Sequence, residues 1–223
     1  MLLTLGIAIQ IKTINQMNNK SVTNSATEND LRDSVLKTKE KYDNTYAKVE
    51  KLEKELEELQ TSASVNSDEA NELQEKLKEY KKILGLTEVS GNGLEITLKD
   101  GDENQSKSVL SSIVHDGDIL QVVNALRNAG ADAISVNDQR IVNTSAISCI
   151  GNVVKINGEK VGAPYVIKAI GNPEWLYGGI EMNGGYVYNL RRDGVDVEVK
   201  KVKDITIPKY DGVYNATYMK TVE

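Results

Sequence analysis

Phenylalanine is absent from the 223-residue chain, and cysteine, histidine and tryptophan occur once each. A lone Cys149 excludes an internal disulfide and a cysteine zinc cage. A lone His115 excludes a histidine-rich metal site. The chain carries 27 basic and 33 acidic side chains, a formal charge of −6. It therefore lacks the Lys/Arg excess that phosphate backbones demand, and nucleic acid is not expected as a partner. No Walker lysine follows a glycine loop. Gly91-Asn92-Gly93 precedes a strand pattern, the wrong context for a dinucleotide fingerprint. No nucleophile-elbow serine accompanies the histidine. Neither an enzymatic activity nor a cofactor is expected.

Long hydrophobic runs are also missing. Met1–Ile11 is uncharged, yet eleven helical residues reach roughly 16 Å, about half of a ~30 Å hydrocarbon core. Residues 1–14 are read as a truncated membrane anchor, the alternative being a short amphipathic or buried start. The Asn-, Ser- and Thr-rich stretch 15–29 reads as a flexible linker.

What the chain does have is a heptad pattern over 30–85. Position a falls on Val35, Tyr42, Val49, Leu56, Ala63, Ala70, Leu77 and Leu84. Position d falls on Leu31, Thr38, Thr45, Leu52, Leu59, Asn66, Leu73 and Tyr80. Thirteen of these sixteen are apolar, a stripe that predicts a coiled coil and a homo-oligomer. Residues 61–67 have low helix propensity, and Asn66 followed by Glu69 resembles an N-cap, so a break is expected there. Gly85 suits the end of the helix.

From residue 90 the period becomes that of strands. Leu94, Ile96 and Leu98 alternate on one face. A helix follows over 119–129, started by Asp116 or Asp118 and stopped by Gly130. DAISV is a short strand, Asn157-Gly158 marks a hairpin, and PYVIKAIG reads as a buried strand. Asn172-Pro173 opens a second helix expected to run to about Arg191, with Trp175, Leu176 and Ile180 on its packing face. A last long strand reaches Ile207, with a bulge at Val202, and an aromatic tail follows. The expected class is α+β: a long N-terminal helix or coiled coil, then a ferredoxin-like split-βαβ sandwich over 90–223 with both helices on one face and an inserted β-hairpin.

The run HDGDILQVVNALRNAGADAISVNDQRIVNTSAISCIG, with INGEKVGAPYVIKAIGNP after it, resembles the YlxW/YlxX-like bacterial family, domain of unknown function 881. The likeness covers roughly residues 30–210. It implies an envelope protein with one N-terminal transmembrane helix, a helical stalk and an extracytoplasmic domain at the cell membrane, with envelope or division proteins as partners. It carries no catalytic residues onto this chain.

Two clusters deserve weighing. His115, Asp116 and Asp118 could offer a cation two local carboxylates, and Asp100, Asp102 and Glu103 could join if their loop folds back. Helix capping already explains acids at that position. Asn137, Asp138, Gln139 and Arg140 follow a strand, and the Arg140 fork suits a carboxylate. Asn137, Gln139 and Arg140 are the first choice for a recognition surface, although a turn whose side chains satisfy backbone groups accounts for the block as well. Cys149 reads as a small core residue. The expected function is a membrane-tethered, non-enzymatic scaffold or interaction module; the alternative is a small-ligand sensor signalling through the coiled coil.

Overall fold

A computed structural model describes residues 2–64, 68–101, 112–151, 153–214 and 218–220, with side chains from residue 31 onward except 63 and 64. The chain divides into two compact units, Met1–Gln74 and Glu75–Glu223.

The first unit is built on α1, Leu2–Ser64. The helix runs straight through 15–29, which composition reads as a linker. That stretch holds neither glycine nor proline, and Asn, Ser and Thr disfavour helix only weakly, so nothing in it forces a stop. No helix among the described residues is long and apolar enough to cross a membrane. α1 ends at Ser64 and α2 spans Asp68–Ile83; residues 65–67, within the expected break, lie outside the described residues. The proposed cap Asn66 lies outside the described residues. Gln74 Nε2 donates to Thr61 Oγ1 at 3.0 Å. A continuous helix would separate these residues by about 20 Å along its axis, so Thr61 and Gln74 do not lie on one uninterrupted helix.

The second unit carries β1 (Val89–Lys99), α3 (Asp116–Asn128), β2 (Ala133–Val136), β3 (Gln139–Ile141), β4 (Ile147–Ile150), β5 (Val153–Ile156), β6 (Glu159–Val161), β7 (Tyr165–Ile170), α4 (Pro173–Glu181), α5 (Tyr186–Asp193) and β8 (Asp196–Ile207). The main sheet has the order β3-β2-β7-β1-β8, and every pairing is antiparallel. The class is α+β. Leu94, Ile96 and Leu98 are fully buried under Ile119, Val122, Val123 and Leu126 of α3 and Leu176 and Ile180 of α4. The period-2 pattern of the strand and the 3.6 pattern of the helices meet in one core. A smaller cluster joins Ala133, Ile170, Ile205 and Ile207. The bulge forms where the β1–β8 register shifts between Gly91 and Gly93, with Asp204 at φ 54°.

Several expectations need correcting. The inserted hairpin is a three-stranded sheet, β4-β5-β6, turning at Asn157 and Gly158, both with positive φ. The second helix is two helices, divided at 182–185, where Gly184 takes φ 76°. Trp175 is 72% exposed. Leu176 and Ile180 are one turn apart and share the buried face, whereas Trp175 is rotated about 100° from Leu176. Cys149 is exposed, because β4 is an edge strand of the small sheet and only Ile147 on it is partly covered.

The adjacent glycines Gly178 and Gly179 of α4 act unequally. A Cβ on Gly178 would meet nothing within 4 Å, but one on Gly179 would sit 2.6 Å from Ala129 Cβ. Gly179 lets α4 approach the end of α3, which ordinary helix propensity does not register.

Candidate functional site

The His115–Asp118 segment is engaged in structure. His115 N–H donates to Asp118 Oδ2 at 2.7 Å, one half of a capping box at the start of α3. Asp118 Oδ1 accepts the Tyr186 hydroxyl at 2.7 Å. Asp116 Oδ2 accepts Cys149 N–H at 2.9 Å, while Asp116 N–H points to Cys149 Sγ at 3.3 Å. That backbone bond is the main reason the Asp116 carboxyl is held below its usual range. Asp100 Oδ1 accepts Val114 N–H at 2.8 Å; Asp102 and Glu103 lie outside the described residues. Among the described residues no group of three His, Cys, Asp or Glu is placed to hold a metal ion.

The 137–140 block does not form one surface. Asn137 and Asp138 have φ of 45° and 62° and make the two-residue turn between β2 and β3, a conformation Asn and Asp tolerate. Asn137 is stitched to the start of β7: its Oδ1 accepts Val166 N–H at 2.9 Å and its Nδ2 donates to Pro164 O at 3.2 Å. Asp138 pairs with Lys168 at 2.8 Å. Gln139 pairs with Val136 in the β2–β3 register, and strand alternation sends it to the face opposite Arg140. The expected wall of Asn137, Gln139 and Arg140 is therefore split.

Arg140 is the residue that remains. It is only 5% exposed. Its Nη1 donates to Thr87 O and to Pro208 O, both at 3.3 Å, and its own carbonyl accepts Asn157 Nδ2 at 2.8 Å. It thus ties the residues before β1, the tail after β8 and the β5–β6 turn to one point. Burial pulls the guanidinium below its usual range. The tail closes over the same place, with Tyr210 N–H donating to Gly85 O at 2.8 Å and Tyr214 hydroxyl to Leu84 O at 2.6 Å. A hollow of about 210 Å³ is left between these groups, with Leu84, Gly85, Arg127, Ile134, Arg140 and Tyr214 among its walls. Sequence reasoning picked out Arg140 but not Tyr214 or Arg127. Tyr214 carried no period or motif linking it to Leu84, 130 residues earlier.

Residues 76–220 match the family model described as a bacterial protein of unknown function, DUF881. The chain belongs to the DUF881 family. The matched residues take in the whole main sheet, its helices and all the walls of the Arg140 hollow. Among DUF881 relatives, the chain is 37% identical over 132 residues to the UPF0749 protein YlxW of Bacillus subtilis, covering 59% of this chain and 57% of that protein. It thus spans little more than half of that relative's length. It is 25% identical to the UPF0749 protein YlxX of the same organism, over 80% of this chain and 76% of that one. The fold is similar to a crystal structure of an uncharacterized conserved protein from Mycobacterium tuberculosis, with a TM-score of 0.54 and 23% identity, covering 66% of this chain and 99% of that one.

Proposed function

We propose that this DUF881 protein is a membrane-tethered scaffold or protein-interaction module of the bacterial cell envelope, without catalytic activity, that assembles with copies of itself through its stalk. The observation that carries the reading is the exposed aliphatic stripe on α1. Leu31, Val35, Val49, Leu52, Leu56 and Leu59 occupy a or d positions and are 47–67% exposed. Each such side chain contributes roughly 1.5–3 kcal/mol on full burial, enough together to offset the ordering cost of association. A second copy presents the same stripe in the same phase, so the partner that fits is this chain itself.

Attachment to the membrane is supported by the uncharged run Met1–Ile11. The non-enzymatic reading is supported by the engagement of Asp116 and Asp118 in capping and cross-links. The interleaved order β2-β7-β1-β8, with a helical crossover after β1 and another after β7, supports a ferredoxin-like core.

Sedimentation equilibrium of the full chain tests the central claim. The wild type is expected to be a dimer or higher assembly at micromolar concentration, and the double substitution Leu52→Asp with Leu59→Asp is expected to dissociate it. A wild-type monomer at high micromolar concentration overturns the reading. The second reading, a small-ligand sensor signalling through the coiled coil, is favoured by the hollow beside Arg140.

A further inference from the structure

We propose that the hollow beside Arg140 is a binding site for a small carboxylic acid with an apolar stem. The inference deepens the sensor reading and is independent of stalk assembly, since a monomer can bind an acid and an oligomer can fail to.

Arg140 is a buried charge without a salt-bridge partner. Among the described residues no carboxylate pairs with it; Tyr214 lies beside it, and Asp132 and Arg127 line the same hollow. Burying a cation without a counter-ion is costly, and the usual remedy is an anion. Both carbonyl contacts use Nη1. Nε and Nη2, the edge that grips a carboxylate with two parallel bonds, have no protein acceptor among the described residues.

The hollow borders that guanidinium, with Gly85 packed beside Nε. Gly85 carries φ 77°, and a Cβ there would stand 2.8 Å from Val142 Cγ1 and in ordinary contact with Nε at 3.4 Å. Glycine is thus required by the backbone and by the closeness of Val142. Ser135, the cross-strand partner of Arg140, is fully buried, and its hydroxyl has no partner among the described residues. A second unsatisfied donor accordingly lies on the same face of the sheet as the guanidinium.

The remaining walls define the rest of the ligand. Ile83, Leu84, Ala133 and Val142 are apolar, while Arg127 adds a second cation and Asp132 one acid. Among the described residues neither arginine is ion-paired. At about 210 Å³, the hollow exceeds the ~150 Å³ that accepts a benzene ring and falls short of the ~300 Å³ at which drug-sized pockets begin. An acid of benzoate or isovalerate size fits; a nucleotide does not.

Isothermal titration of the full chain with sodium benzoate and sodium isovalerate, alongside benzamide and inorganic phosphate, tests this. Saturable binding of the two carboxylates, one per chain, is expected, with benzamide and phosphate at least about tenfold weaker. Arg140→Lys keeps the charge but loses the planar fork, and is expected to weaken benzoate by about tenfold or more. Should that variant fail to fold, Ala131→Leu fills the hollow while leaving Arg140 in place, and is expected to abolish binding with the near-ultraviolet circular dichroism unchanged. Absence of saturable carboxylate binding overturns the proposal. So does benzoate binding that survives in a folded Ala131→Leu, or phosphate binding as tight as benzoate.

Discussion

The Tyr186 hydroxyl donates to Asp118 Oδ1 at 2.7 Å, joining the first turn of α5 to the first turn of α3 across 68 residues. The same carboxylate closes the α3 cap through its other oxygen. Burial first, and the Asp118 carboxylate second, push the Tyr186 phenol up to about 12 from an ordinary 10. A raised folded pKa means the unfolded chain releases the proton first. The contribution to stability is therefore complete below pH 10 and lost as pH rises through about 12. Urea midpoints measured from pH 8 to pH 12 are expected to fall more steeply for wild type than for Tyr186→Phe. Parallel curves would show that the phenol does not contribute.

The adjacent glycines of α4 are expected to respond with opposite sign. Gly178→Ala meets open space and removes a flexible residue from a helix interior, so it should stabilise by up to about 1 kcal/mol. Gly179→Ala drives a methyl toward Ala129 Cβ at 2.6 Å and should destabilise by about 1–3 kcal/mol. Thermal melts of the two variants check the signs, and equal shifts would mean α3 and α4 do not approach as described.

Glu181 and Arg191 form a two-pronged pair at 2.6 and 2.7 Å between α4 and α5. The guanidinium bonds hold the Glu181 carboxyl below its usual range. A depressed folded pKa gives stability that is present above the ordinary carboxylate value and is lost as pH falls through the folded one. Because both side chains are partly exposed, Glu181→Gln should cost no more than about 1 kcal/mol at neutral pH. The deficit should vanish in acid. Urea midpoints at pH 7 and pH 3 check this, and a deficit of equal size at both would rule out the ionic origin.

Arg140→Ala leaves the carbonyls of Thr87 and Pro208 without their donor. Stranding buried polar groups costs roughly 1–3 kcal/mol, so the urea midpoint followed by near-ultraviolet circular dichroism should drop. An unchanged midpoint and slope would show that Arg140 does not brace these segments.

Features that depend on neighbours a few residues apart are legible in the chain before it folds. The heptad stripe, the alternation of Leu94, Ile96 and Leu98, the Asn172 cap and the Asn157-Gly158 turn all rest on such local periods or local bonds. A capping role for Asp118 was legible for the same reason, although the N-cap itself is His115, the helix begins at Asp116, and Asp118 bonds back from the third helical position. The approach of Gln74 to Thr61, the exposure of Trp175 and Cys149, and the separate fates of Gln139 and Arg140 depend on contacts made by the folded chain. Arg140 reads in sequence either as a fork suited to a carboxylate or as part of a self-satisfied turn; it is buried because Thr87 and Pro208, 53 and 68 residues distant, converge on it. Contacts at that separation leave no period in the chain. They follow from which strand edges and chain ends the fold brings together.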